Sequence, residues 1–171
     1  MVKIERCWAM PNKHTFLIKP IRQLLFEEAT GDIILDPFSS NNSEFSTITN
    51  DLNPKTSAQY HLDALEFLKL FENESVDTVL YDPPYSPRQV SECYKNFGIS
   101  ITSLETSGHW RASHLNEIAR ILKPNGKVIS FGWNTNGAGK KRGFEIKRIL
   151  IVAHGSSHND TLVTVETKKF I

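Results

Sequence analysis

Apolar positions along the chain alternate between helical and strand spacing. From Phe16 to Glu28 they fall at Ile18, Ile21, Leu24, Leu25 and Phe26, a helical stripe that Lys19-Pro20 begins and Thr30-Gly31-Asp32 ends. Ile33-Ile34-Leu35 is a short apolar run stopping at Asp36-Pro37-Phe38, and Ser46 to Thr49 is another, stopping at Asn50-Asp51. Both predict strands. His61 to Phe71 predicts an amphipathic helix with Leu62, Leu65, Leu68 and Phe71 inward, and Val76 to Tyr81 the next buried strand. Ser86 to His109 is polar and irregular, with helix expected only around Gln89 to Asn96.

Trp110 to Leu122 predicts a further amphipathic helix through Leu115, Ile118, Ala119 and Leu122. Lys123-Pro124-Asn125-Gly126 predicts a turn, with φ fixed at the proline and positive φ allowed at the glycine. Val128 to Phe131 is a buried strand, and Phe144 to Ala153 and Leu162 to Thr167 form an antiparallel pair around Gly155 to Asp160. Alternating strands and helices closed by such a pair predict a three-layer α/β fold. Its sheet is mostly parallel with one reversed strand.

Composition narrows the functional classes. A chain of 171 residues with 39% hydrophobic and 23% charged residues fits one globular domain, residues 1–171, with no separate target-recognition domain. A net charge of +1 gives no global attraction to polyanions, so any such site must be a local patch. Cys7 and Cys93 lie far apart, without a disulfide framework or zinc spacing. No apolar run approaches a membrane span, and a cytoplasmic location is expected.

In open α/β sheets, ligands sit beyond the carboxyl ends of the strands. Asp36, Asp51 and Asp82 each end a strand, where a carboxylate can bind ribose hydroxyls or the ammonium of an amino acid. Asp82-Pro83-Pro84-Tyr85 carries the most chemistry. The prolines hold an extended turn with free carbonyls, Asp82 adds an acceptor, and Tyr85 adds a flat face with a polar tip. That set suits the amino group and ring of a nucleobase.

On these residues the chain resembles the DNA adenine-N6 methyltransferases of the class I, Rossmann-like, S-adenosylmethionine-dependent superfamily. The small adenine-specific methylases of phages and prophages are the most similar in plan. His14-x-Phe16-x-Ile18-Lys19-Pro20 is similar to the segment these enzymes place before their cofactor loop, and Leu35-Asp36-Pro37-Phe38 to the start of that loop. The resemblance implies cofactor contacts from Lys19, Asp36, Pro37, Phe38, Asp51, Asp63, Ala64 and Asp82, with Asp51 at the ribose and Asp63-Ala64 at the adenine. It implies that Asp82, Pro83, Pro84 and Tyr85 are catalytic, and that the sheet has seven strands, the last antiparallel. The segment for the usual third strand, Ala58 to His61, is poor in strand formers, and the helix after Phe131 is short at best.

The cofactor loop departs from the family pattern. Ser39-Ser40-Asn41-Asn42-Ser43 contains no glycine, so Asn41 or Asn42 is expected to supply left-handed backbone. For nucleic acid, the candidates are Arg88 and Tyr94 near Tyr85, and Lys140, Lys141, Arg142, Lys147 and Arg148 for phosphates. His154 and His158 have a metal-like spacing but flank a turn and are expected to be structural or solvent-exposed; His109 and His114 receive no role. Trp133 is expected near the pocket, Trp8 and Trp110 in packing. The expected partner is double-stranded DNA with an adenine target, with no membrane and a homodimer allowed. The alternatives are an RNA amino-methyltransferase with the same motif and a catalytically weak partner subunit.

Overall fold

A computed structural model describes residues 1–96, 98, 108–155 and 157–169. A seven-stranded sheet runs in the order β1 (Lys3–Trp8), β6 (Phe144–Ala153), β7 (Thr161–Lys168), β5 (Leu122–Gly132), β4 (Val76–Tyr81), β2 (Ile34–Asp36), β3 (Ile48–Thr49). Every neighbouring pair is parallel except those of β7, which is antiparallel to both β5 and β6. The expected mostly parallel sheet with a reversed last strand is present.

Side-chain alternation along the strands divides the core in two. Leu80, Ile129, Phe131 and Val163 meet Ile21, Leu24 and Leu25 of α1 (Lys19–Glu28) on one face. Val79, Tyr81 and Val128 meet Phe67 and Leu68 of α2 (Ala64–Lys69) and Leu115, Ile118 and Ile121 of α4 (Gly108–Ile121) on the other. These are the three predicted layers. A helix α3 (Pro87–Asn96) follows the acidic tetrapeptide.

Three expectations are corrected. The inward face of α2 is Ala64, Phe67 and Leu68, whereas Leu62 is exposed and Leu65 only partly buried, because the helix begins at Ala64 after an Asp63 cap. In the Lys123–Gly126 turn the positive φ belongs to Asn125 (65°), and Gly126 is needed for space, since a Cβ there would lie 2.8 Å from the Lys123 carbonyl oxygen. That turn loops out of β5, which pairs with β4 at Leu122 and again from Lys127. Ala58 to His61 is as poor a strand as its sequence implies, with one bridge, Asn50 to Tyr60, and the seventh strand is instead the N-terminal β1 on the opposite edge.

Arg148 explains why that edge holds. Its guanidinium is only 9% exposed and binds Glu5 of β1 (2.5 Å) and Glu27 and Glu28 of α1 (2.6 and 3.3 Å). It is a structural cation, not a phosphate contact, and Lys147 is paired with Glu145 at 2.9 Å. Beyond Phe131 only a 3-10 turn, Lys140–Arg142, stands where a helix was expected to be short.

The corrected α2 face is testable by urea denaturation. Phe67→Ala, which empties a fully buried site, is expected to cost about 3–5 kcal/mol. Leu62→Ala, at an exposed position, is expected to stay within about 1 kcal/mol; equal losses would overturn the assigned face.

Candidate active site

The parallel alignment of β2 and β4 sets Asp36 and Asp82 at the same edge of the sheet. Both line a cavity of about 660 Å³, closed on the other side by Lys13 to Leu17 and by the loop from Phe38 to Glu44. Asp36 is 1% exposed. Its Oδ1 accepts from the Phe38 N–H at 3.0 Å, while Oδ2 has no partner among the described residues. Burial first, then the neighbouring Asp82 and Asp51 carboxylates, push its pKa well above the ordinary range.

Asp82 is likewise raised, to about 6, chiefly by burial; hydrogen bonds from Tyr85 and Thr15 oppose the shift. The Tyr85 hydroxyl donates to Asp82 Oδ1 at 2.5 Å, and the Tyr85 N–H donates to Gln89 at 2.6 Å. The Tyr85 ring stands edge-to-face with Trp133, centroids 5.6 Å apart, and Trp133 itself lines neither cavity. Pro83 is buried, Pro84 partly so, and no described donor is bonded to the Pro83 carbonyl.

The glycine-free loop solves its backbone problem at Ser40, with φ at 52°, and not at Asn41 or Asn42. The strained residue is held by Asp51, whose Oδ2 accepts from the Ser40 N–H at 2.9 Å and whose Oδ1 accepts from Asn53 at 2.8 Å. Asn41 instead accepts from the Ser57 N–H at 2.9 Å, and Asn42 from the Glu44 N–H at 3.0 Å. Asn50, fully buried, clamps the loop to the next segment through the Pro37 and Leu62 carbonyls. Loop, strand end and helix approach thus form one hydrogen-bonded unit.

A second, small cavity of about 50 Å³ lies behind Phe38, bordered by Asp51, Asp63, Ala64, Pro84, Tyr94 and Trp110. Asp63 caps α2 through the Leu65 N–H (2.9 Å) and accepts from the Tyr94 hydroxyl, which in turn accepts from Trp110 Nε1 at 3.3 Å. Tyr94 is therefore a wall of this pocket, which Pro84 also borders. His114, given no role from sequence, is fully buried there against Phe38 and Trp110, with Nδ1 3.1 Å from the Tyr81 hydroxyl. Burial lowers its pKa to about 4, so it is a neutral packing group.

Of the expected site residues, Asp36, Phe38 and Asp82 meet at the large cavity, and Pro37, Phe38, Asp51, Asp63, Ala64 and Pro84 at the small one. Lys19 is exposed and lines neither; Lys13, His14 and Thr15, just upstream, take its place. Arg88 is exposed on α3 and paired with Glu92 at 2.8 Å. Lys140, Lys141 and Arg142 lie away from the sheet edge that carries Asp82: Phe144, just after them, pairs with Lys168 at the level where β5 begins, whereas Asp82 follows Tyr81, paired with Ser130 further along. Trp8 is exposed, not packed, whereas Trp110 is partly buried. His154 is structural as expected, bound to Ala9 and Thr161 at 2.8 Å each. Among the described residues there is no cluster of metal-ligating side chains and no helix long and apolar enough to cross a membrane.

No family model and no curated protein sequence matches the chain. Solved structures do. TrmN from Thermus thermophilus aligns at 19% identity over 89% of this chain and 49% of its own, with a TM-score of 0.58. The chain thus spans about half of TrmN. A SAM-dependent methyltransferase from Methanosarcina mazei aligns at 12% identity over 89% and 98%, with a TM-score of 0.54. The 1,6-didemethyltoxoflavin-N1-methyltransferase of Burkholderia thailandensis, which holds S-adenosylhomocysteine, aligns at 12% identity over 81% and 71%, with a TM-score of 0.50. The likeness is one of architecture: this chain has the Rossmann-like αβα fold of S-adenosylmethionine-dependent methyltransferases.

Proposed function

We propose that the protein transfers a methyl group from S-adenosylmethionine to the N6 amino group of adenine in DNA. The observation that carries this reading is the convergence, at one cavity, of two carboxylates: Asp82, whose Oδ1 accepts from the Tyr85 hydroxyl, and Asp36, which is buried with one oxygen unpartnered among the described residues. The orphaned Asp36 Oδ2 suits the ammonium of the cofactor's amino-acid end. Asp51, whose oxygens each accept only one N–H, keeps lone pairs for ribose hydroxyls. Ala64 and Asp63 border the small cavity on the side assigned to the cofactor base.

When bound, the cofactor would supply an electrophilic methyl group, its S–C bond breaking as a neutral thioether leaves. The chain's residues present the nucleophile. An adenine turned out of the stack, at a cost of about a few kcal/mol, lies against the Tyr85 ring. Its amino group displaces the Tyr85 hydroxyl from Asp82 Oδ1 and donates one hydrogen there and one to the Pro83 carbonyl. Holding both N–H bonds turns the nitrogen lone pair out of the ring system. As the new N–C bond forms, the nitrogen becomes acidic and sheds a proton, which Asp82, with its raised pKa, is suited to take. Positioning and local electrostatics supply the catalysis.

Nucleoside mass spectrometry on DNA and RNA from a methylation-deficient host tests the reading. N6-methyladenine in DNA is expected with the wild-type chain and none with Asp82→Ala; the mark in RNA alone would move the substrate and keep the chemistry, and no mark in either would sink the proposal. The methyl-transfer rate is expected to fall about tenfold per pH unit below a midpoint near 6, as protonation removes the Asp82 acceptor. The stability sign is opposite. A folded pKa above the usual 3.8 means the fold favours the neutral acid, and this contribution fades as pH rises through about 6, so Asp82→Asn should melt higher than wild type at pH 8.

Ser40 gives a separate check on the cofactor loop. Ser40→Gly is expected to keep or improve cofactor affinity by calorimetry, whereas Ser40→Val, at φ 52°, should cost about 1–2 kcal/mol in loop stability and weaken binding. Equal affinities for the two variants would show that this backbone does not shape the site.

A further inference from the structure

Although the chain as a whole carries a charge of only +1, four cations border one cavity outside the catalytic edge. It has a volume of about 360 Å³, within the usual range for small-ligand sites, and lies between the first half of α4 and the loop leading to β6. Arg111, Lys140, Lys141 and Arg142 are its charged lining. Neither lysine side chain bonds or ion-pairs with a described residue. Arg142 is anchored through Nε to Asn116 (2.7 Å) and through Nη1 to the Ala138 carbonyl (2.9 Å), leaving Nη2 without a described partner.

The loop is moulded to keep this shape. Glu166 of β7, fully buried beneath it, accepts from the Ala138 and Gly139 N–H groups at 2.5 and 3.0 Å. A Cβ at Gly137 would sit 2.1 Å from a Glu166 oxygen, and Gly137 and Gly139 have φ of 54° and 87°, so both positions require glycine. Glu166 answers part of the charge on Arg111 and Arg142, and the two lysines remain unanswered. Two free ammonium groups beside guanidinium N–H donors are the chemistry that binds phosphate.

Arg111 ties this cavity to the catalytic end. Its guanidinium carbon lies 5.3 Å from the ring centroid of Tyr81, the residue before Asp82. From Arg111 to Asn116, which holds Arg142, α4 rises about 7.5 Å at 1.5 Å per residue. The cations therefore form a short track leading from the flank of the active site along α4.

We propose that this cavity is a phosphate site and that the phosphate it takes belongs to the backbone of the nucleic acid carrying the target base. The second half of this statement rests on the proposed methyl transfer to nucleic acid; the first does not. The test compares wild type with Lys140→Gln/Lys141→Gln, at exposed positions, and with Arg111→Gln, at a half-buried one. Affinity for an adenine-containing oligonucleotide duplex is measured across a salt series, and amide shifts of Lys140 to Arg142 are followed by NMR on adding inorganic phosphate.

The double variant is expected to bind the duplex about tenfold more weakly and to lower the slope of log K against log salt by about 1–2, with a smaller loss for Arg111→Gln. Cofactor calorimetry on each variant checks that the fold is intact. Unchanged affinity and slope in proteins that still bind and methylate DNA would overturn the phosphate site and leave the methyl transfer standing. Shifts with inorganic phosphate in a wild-type chain that binds no oligonucleotide would uphold the site and overturn its assignment to a nucleic-acid backbone. No shift and no binding would overturn both.

Discussion

The structure depends on the parallel pairing of β2 with β4, because that pairing brings two carboxylates into one cavity. Ile34 aligns with Thr78 and Leu35 with Val79, so Asp36 and Asp82 both emerge at the carboxyl edge of the sheet. Both are desolvated, the Asp82 carboxylate further disfavours ionisation of Asp36, and no cation among the described residues pairs with either. A fold that only needed to be stable would place apolar groups or a counter-ion there. Asp36 with an orphaned oxygen and Asp82 with a pKa near 6 are therefore best understood as groups kept for a ligand.

The loop from Ser39 to Ser43 shows how a missing residue type is replaced by a network. Glycine would enter left-handed backbone without a steric cost; Ser40 enters it against a preference of about 1–2 kcal/mol. Asp51 offsets this by accepting the Ser40 N–H, and Asn50 and Ser39 bind the loop to the end of β3. The strand-end carboxylate thus has a structural task besides the one the resemblance gives it. The same pattern recurs below the basic cavity, where buried Glu166 fixes a loop through two backbone N–H groups. In both places a carboxylate shapes backbone that borders a candidate binding surface.

From α1 onward, sequence periodicity was enough to give the strand and helix order, the three layers and the reversed β7, since buried strands need unbroken apolar runs and surface helices need a stripe. The acidic strand ends and the Asp82–Tyr85 turn were legible because their chemistry is carried by neighbouring residues. Tertiary structure alone decided what depends on distant partners. The polar pattern of β1 does not announce a strand; it becomes one by pairing with β6 and through Arg148, which joins Glu5 to α1. The φ of Ser40, the sealing of Asp63 by Tyr94, and the placement of Lys13 to Thr15 over Asp82 likewise follow from contacts between segments remote in sequence. Local pattern determined which elements form and where the reactive residues stand in the chain; only packing decided which of those residues face one another, because burial and charge pairing are properties of space and not of spacing.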